Sequence, residues 1–95
     1  MRLDLYLKWT GLCRQRSEAK RACERGEVSL DGQPAKASSA ARVGAVVRIE
    51  GPARLVEAEI LELPQRAPAK SQRERYVRLL RQERRDAAVD ADLSF

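Results

Sequence analysis

Arg16 and Lys20 stand four residues apart in the segment Arg14-Gln15-Arg16-Ser17-Glu18-Ala19-Lys20-Arg21-Ala22-Cys23-Glu24-Arg25-Gly26. In a helix that spacing stacks two cations one turn apart on one flank. Beside them Ala19, Ala22 and Cys23 recur at i, i+3 and i+4, a narrow face of small residues that lets the helix lie close to a neighbour and so is expected to be buried. Cations held rigidly beside a buried face suit a phosphodiester backbone, which is bound chiefly by charges that displace condensed counterions. Arg adds planar, bidentate hydrogen bonding to phosphate oxygens. Arg2 at the start of the preceding segment, Arg14 before this helix, and Lys36 with Ser38 further on are placed to complete one contiguous patch, and the Ser17 hydroxyl can donate to it. Arg21 and Arg25 form a second pair on the far flank, where a solvated face is the simpler reading.

Other chemistry is poorly served. The chain has no histidine, the commonest general base and metal ligand, and no Gly-rich cofactor loop. No catalytic residue, metal or cofactor is expected. Cys13 and Cys23 fall short of a four-ligand structural zinc site, and their number permits either a disulfide or two reduced thiols. Asp4 and Lys8 interrupt the N-terminus before a secretory apolar stretch develops, which favours reduced thiols in a cytoplasmic chain. No apolar run approaches the roughly 18–20 residues of a membrane span, so no membrane partner is expected. Tyr6, Trp9, Tyr76 and Phe95 are the only aromatics, too few for binding by a row of base-stacking rings. Trp9 is expected in the core, and Asp4 as a helix-start residue or the partner of a nearby Arg.

The elements that must position these residues follow from periodicity. Leu3, Tyr6 and Leu7 fit one face of a short helix with Asp4 in its first turn. The second helix ends at Gly26. Val28 and Leu30 then alternate with polar residues up to Asp31-Gly32, a tight-turn signal, and Pro34 confines the returning limb to an edge. Residues 35–41 read as a loop, and Ala45 to Glu50 and Arg54 to Leu63 as strands separated by Gly51-Pro52. Pro64 and Pro68 mark a linker. Ser71-x-x-Glu74 matches a capping box, so a basic helix from about Gln72 to Arg85 is expected, with Tyr76, Val77 and Leu80 as its apolar stripe. Residues 86–95 hold three aspartates and no basic residue and are expected to fray. The fold class is therefore α+β: residues 1–63 form two short helices on a small antiparallel sheet, and residues 64–95 a linker, basic helix and acidic tail.

In order and spacing, Arg2-Leu3-Asp4, Arg16-Ser17-Glu18-Ala19-Lys20, Gly26 to Gly32, Lys36-Ala37-Ser38 and Arg42-Val43-Gly44-Ala45-Val46-Val47 resemble the S4 RNA-binding domain. The match covers residues 2–50. It is nearest to small free-standing ribosome-associated S4 proteins of the heat-shock response and of bacterial ribosome quality control. The resemblance implies binding to large-subunit ribosomal RNA and tRNA on subunits still holding an unfinished chain, through Arg2, Arg14, Arg16, Ser17, Lys20, Lys36 and Ser38. Secondary contacts fall on Lys8, Arg21, Arg73, Arg78 and Arg81, nascent-chain-processing factors are possible partners, and a monomer is expected off the ribosome. Leu5 stands where the family usually has Lys, Asp31 where it has Asn, and Gln15 where it often has a capping Ser.

Two further classes compete: a protein–protein adaptor, and an accessory subunit of an RNA-modifying enzyme. The net charge of +5 conceals a division that favours RNA. Residues 1–25 carry seven basic and three acidic groups and residues 64–85 eight and two, flanking a more acidic middle.

Overall fold

The computed structural model describes residues 1–84. Its elements run α1 (Leu3–Trp9), α2 (Arg16–Glu24), β1 (Val28–Leu30), β2 (Gln33–Pro34), β3 (Val46–Glu50), β4 (Arg54–Ile60), a 3-10 helix (Lys70–Arg75) and β5 (Val77–Arg84). The strands form one antiparallel sheet of five, ordered β2-β1-β3-β4-β5.

Leu3, Tyr6 and Leu7 of α1 and Ala19, Ala22 and Cys23 of α2 share a core with Val28, Val47, Ile49, Val56, Ala58 and Ile60 of the sheet. The small residues of α2 thus occupy the buried face that their spacing predicts. Gly26, at φ +76°, ends α2. Its N–H donates to Cys23 O (3.0 Å) and that of Glu27 to Ala22 O (2.9 Å), the Schellman pair that satisfies two otherwise free carbonyls. Asp31 and Gly32 both take positive φ, +49° and +83°, as a type I′ hairpin turn requires. Asp31 also accepts a hydrogen bond from Val46 N (2.8 Å) and pairs with Arg42 at 3.6 Å.

The loop after β2 is tied to the start of α1. Leu3 N donates to Ser39 O (2.8 Å) and Asp4 N to Ala37 O (3.1 Å), while Ser39 Oγ accepts from Lys36 N (2.8 Å). A bridge pairs Arg2 with Ala40. Two free N–H groups of α1 are thereby satisfied by a segment far along the chain.

The C-terminal region departs from the expected basic helix. Among the described residues beyond β4 only the 3-10 turn is helical. Residues 77–84 form a fifth strand, paired from Ile60↔Val77 to Arg54↔Arg84, with a bulge opposite Glu57/Ala58. Ser71 lies inside the turn, whose N-cap is Ala69, and no side chain caps it. A solitary amphipathic helix of about 14 residues is marginal in water. The edge of β4 instead offers a full ladder, and packing the Val77 side chain against the core favours it further. Arg85 and the acidic segment 86–95 lie outside the described residues.

Trp9 is a second departure: it is half-buried, whereas Tyr6 is the fully buried aromatic among the described residues. The Tyr6 hydroxyl donates to Tyr76 O at 2.7 Å, fastening α1 to the chain entering β5. Tyr76 O also accepts from Leu61 N and Glu62 N, so removing the hydroxyl leaves no orphaned acceptor. Tyr6→Phe is expected to cost about 1 kcal/mol, read from urea midpoints at unchanged m.

Candidate nucleic-acid interface

Asp4 is the hub of the predicted patch. Its side chain is fully buried, yet it accepts from Arg2 Nε and Arg16 Nε, each at 3.2 Å, and from Leu5 N at 2.8 Å. Both arginines remain about half exposed, at 49% and 43%. One carboxylate thus fixes two guanidiniums that α1 and α2 bring from residues 2 and 16, leaving the outer edge of each open to solvent. Burial pushes the Asp4 carboxyl up, but the hydrogen bonds from Arg16 and Arg2, the Arg16 charge and the Leu5 N–H together outweigh it and hold it below its ordinary value.

Arg2, Lys20, Lys36 and Ser38 line one cleft of about 390 Å3 floored by Cys23 and Ala37, with Glu24 at its side. Two elements create it: α2 presents Lys20, and the loop pinned to α1 swings Lys36 and Ser38 to the same mouth. No ion pair engages Lys20 or Lys36 among the described residues, so two free ammonium groups share the cleft with Arg2, one of the two arginines held by Asp4.

Other predicted residues lie elsewhere, and the single contiguous patch is corrected to two surfaces. Arg14 lines a different cleft, with Glu18, Arg21 and Arg25, on the opposite flank of α2. The helical wheel separates this flank from Arg16 and Lys20 by about half a turn. Arg14 N donates to Glu18 Oε1 (2.8 Å), which secures the helix start that Gln15 leaves without a side-chain cap. Ser17 is exposed and donates to Gln15 Oε1 at 3.3 Å. Lys8 is exposed in the last turn of α1, where it complements the helix dipole.

Among the secondary candidates, Arg78 pairs with Glu59 and Arg81 with Glu83 on the outer sheet face, where each charge is balanced. Arg73 instead lies flat on Gly11: a Cβ there would come within 2.4 Å of its guanidinium. Arg54 escaped the sequence reading. Strand β4 carries it beneath the α1–α2 turn, where it donates to Cys13 Sγ at 3.6 Å. Nothing in the local sequence marks that encounter.

The site has little reactive chemistry. Cys13 and Cys23 are free and buried, and burial pushes both thiols up, Cys23 to about 11, so neither is a thiolate at neutral pH. Among the described residues no group of three or more His, Cys, Asp or Glu is placed to hold a metal, and no helix is long and apolar enough to cross a membrane.

Comparison with known proteins accords with this geometry. The S4 domain family model matches residues 1–47. The RQC P-site tRNA stabilizing factor of Listeria innocua serovar 6a is 34% identical over 86 residues, covering 90% of this chain and 92% of that protein. Its namesake in Bacillus subtilis is 36% identical over 63 residues, or 66% of this chain and 73% of that one. Among solved structures, the trimeric Heat Shock Protein 15 of Vibrio cholerae superposes with a TM-score of 0.74 at 25% identity, over 83% of this chain and 80% of its own. With a buried aspartate clamping two arginines in the matched region, and relatives similar over nearly their whole length, the chain belongs to the S4-domain family of RQC P-site tRNA stabilizing factors.

Proposed function

We propose that this protein is a non-catalytic RNA-binding factor of ribosome quality control, which binds large-subunit ribosomal RNA and tRNA on subunits still carrying an unfinished chain. The relatives' name, RQC P-site tRNA stabilizing factor, supports the setting. The observation that carries the RNA contact is the Asp4 clamp, which fixes Arg2 and Arg16, with Arg2 in one cleft with the free ammonium groups of Lys20 and Lys36. Arg2, Arg16, Lys20 and Lys36 take phosphates, and Ser38 donates a hydrogen bond beside them. Ser17, beside Arg16 on the exposed helix start, adds a second hydroxyl. The site reads backbone shape, because double-stranded RNA hides its base edges in a deep, narrow groove. Residues 1–63 carry these contacts, and residues 77–84 complete the sheet beneath them. The protein works in the cytoplasm as a monomer when off the ribosome, with no cofactor. Buried, protonated thiols and the absence of histidine support a binding role over catalysis.

Co-sedimentation with purified large subunits across a salt series tests this reading. Four phosphate contacts predict a slope of log K against log salt of about −3 to −4, and thus roughly 100-fold weaker binding at 200 mM than at 50 mM salt. Binding that varies little with salt and survives nuclease treatment would instead indicate a protein adaptor.

A further inference from the structure

A third cleft, of about 450 Å3, opens between the α1–α2 turn and the β4–β5 edge of the sheet. Its size lies within the about 300–1,000 Å3 range of small-ligand sites. Leu12, Val56, Val77 and Leu79 form apolar walls, while Arg54, Arg73 and Gln82, with Glu74 as the one carboxylate, supply polar groups. Leu79 is 51% exposed although it lines a concavity beside the core, an apolar surface left uncovered among the described residues. The Arg73 guanidinium, laid flat over Gly11, makes no ion pair among the described residues, and its Nε is buried without a hydrogen-bond partner.

This cleft does not stand alone. It shares Arg54 with the groove that runs past Arg14, Arg21 and Arg25, and Arg54 and Arg14 also line the approach beside Arg84. Among the described residues no carboxylate pairs with Arg14, Arg21, Arg25 or Arg84 within salt-bridge distance. The contrast with the outer sheet face is informative: there Arg48, Arg78 and Arg81 are each neutralised by a glutamate. Guanidiniums left unpaired and close together repel one another, and an anion relieves that repulsion. The surface therefore combines a cationic track with an apolar slot opening from it at Arg54.

We propose that this surface binds an unpaired nucleotide of RNA, its base in the slot against Leu79 and the Arg73 guanidinium, and its flanking phosphates on Arg54 and the neighbouring arginines. Charge complementarity selects a polyanion, and the apolar slot selects one with a planar, largely apolar group to bury. A splayed nucleotide in a loop or bulge meets both demands, since its base is free to stack on a guanidinium plane and to hydrogen-bond on its exposed edge. A continuous duplex meets only the first. The proposal rests on the RNA-binding reading and adds to it a preference for unpaired RNA, on a surface distinct from the Asp4 clamp.

The test uses the full chain and two RNA hairpins that differ by one bulged nucleotide, the bulge replaced by 2-aminopurine in a reporter copy. The bulged hairpin is expected to bind about tenfold more tightly than the paired one, by analogy with the gain from stacking one base. The reporter emission should change on binding. Leu79→Asp, at an exposed position, should abolish that preference while leaving affinity for the paired hairpin within about twofold. Lys20→Ala should weaken both hairpins alike. Equal affinity for the two hairpins, an unchanged reporter, or a preference that survives Leu79→Asp would overturn the nucleotide slot while leaving RNA binding intact. Failure of the wild type to bind either hairpin or the large subunit would overturn both readings together.

Discussion

The double variant Arg16→Ala, Lys20→Ala is expected to bind large subunits about 100-fold more weakly than the wild type at moderate salt, measured by co-sedimentation. Each lost charge-assisted contact is worth about 1.5–3 kcal/mol when fully formed, and tenfold in affinity needs only about 1.4 kcal/mol. The salt slope should fall by about two, because two fewer counterions are displaced. Arg16 and Lys20 are both exposed at their tips, and Asp4 keeps Arg2 as a partner in the variant, so the fold is expected to survive. Circular dichroism and the thermal midpoint verify that. Binding at the wild-type level would show that the clamp is a structural ion pair and not an RNA site. As a control of equal charge change, Arg78→Ala with Arg81→Ala should lower affinity less than threefold, since those guanidiniums are already paired with Glu59 and Glu83.

Asp4→Ala carries the largest expected loss of stability, about 3 kcal/mol. It removes a buried acceptor of four hydrogen bonds, three of them from the Arg2 and Arg16 guanidiniums, and leaves Leu5 N without its partner. The half-exposed arginines retain access to water, which keeps the cost below that of stranding a fully buried charge. For a domain of this size the thermal midpoint should drop by about 10–20 °C. RNA affinity should fall as well, although the substitution raises the net positive charge, because Arg2 and Arg16 lose their fixed positions. That opposition of signs separates positioning from simple electrostatics: a surface that worked by net charge alone would bind more tightly.

The same carboxylate gives the protein an acid limb. The native pKa of Asp4 is held below its unfolded value of about 3.9. Its contribution is therefore complete above that unfolded value and is lost as pH falls through the native one. The stability gap between the wild type and Asp4→Asn, followed by urea denaturation at stepped pH, should be constant from neutrality to about pH 5 and narrow below about pH 4. A gap that persists undiminished into strong acid would mean that the ionised carboxylate is not what the clamp uses.

Much of this was legible in local sequence, where a physical rule acts over a few residues. The i, i+3, i+4 spacing of Ala19, Ala22 and Cys23 marked the buried face of α2, and Gly26 its end. Asp31-Gly32 specified a turn with two positive φ angles. The positions of Arg16 and Lys20 on one flank followed from helical geometry alone. So did the separation of Arg21 and Arg25, and the charge pattern alone pointed toward a polyanion.

Tertiary structure decided everything that depends on which distant segments meet. Residues 72–85 carry a helix-compatible apolar spacing and a capping-box match, yet residues 77–84 pair with β4 because a ladder and core contact for Val77 outweigh the small energies of local propensity. Arg14 reads in sequence as a neighbour of Arg16, but the α1–α2 turn sends it to the opposite flank. Lys36 and Ser38 join Arg2 through backbone hydrogen bonds spanning some thirty-five residues, and Arg54 meets Cys13 across forty-one. Charge and periodicity therefore determine that the chain carries cations on helical flanks. Long-range hydrogen bonds and burial, which no local pattern encodes, decide which of those cations are clamped, which are neutralised and which stand free.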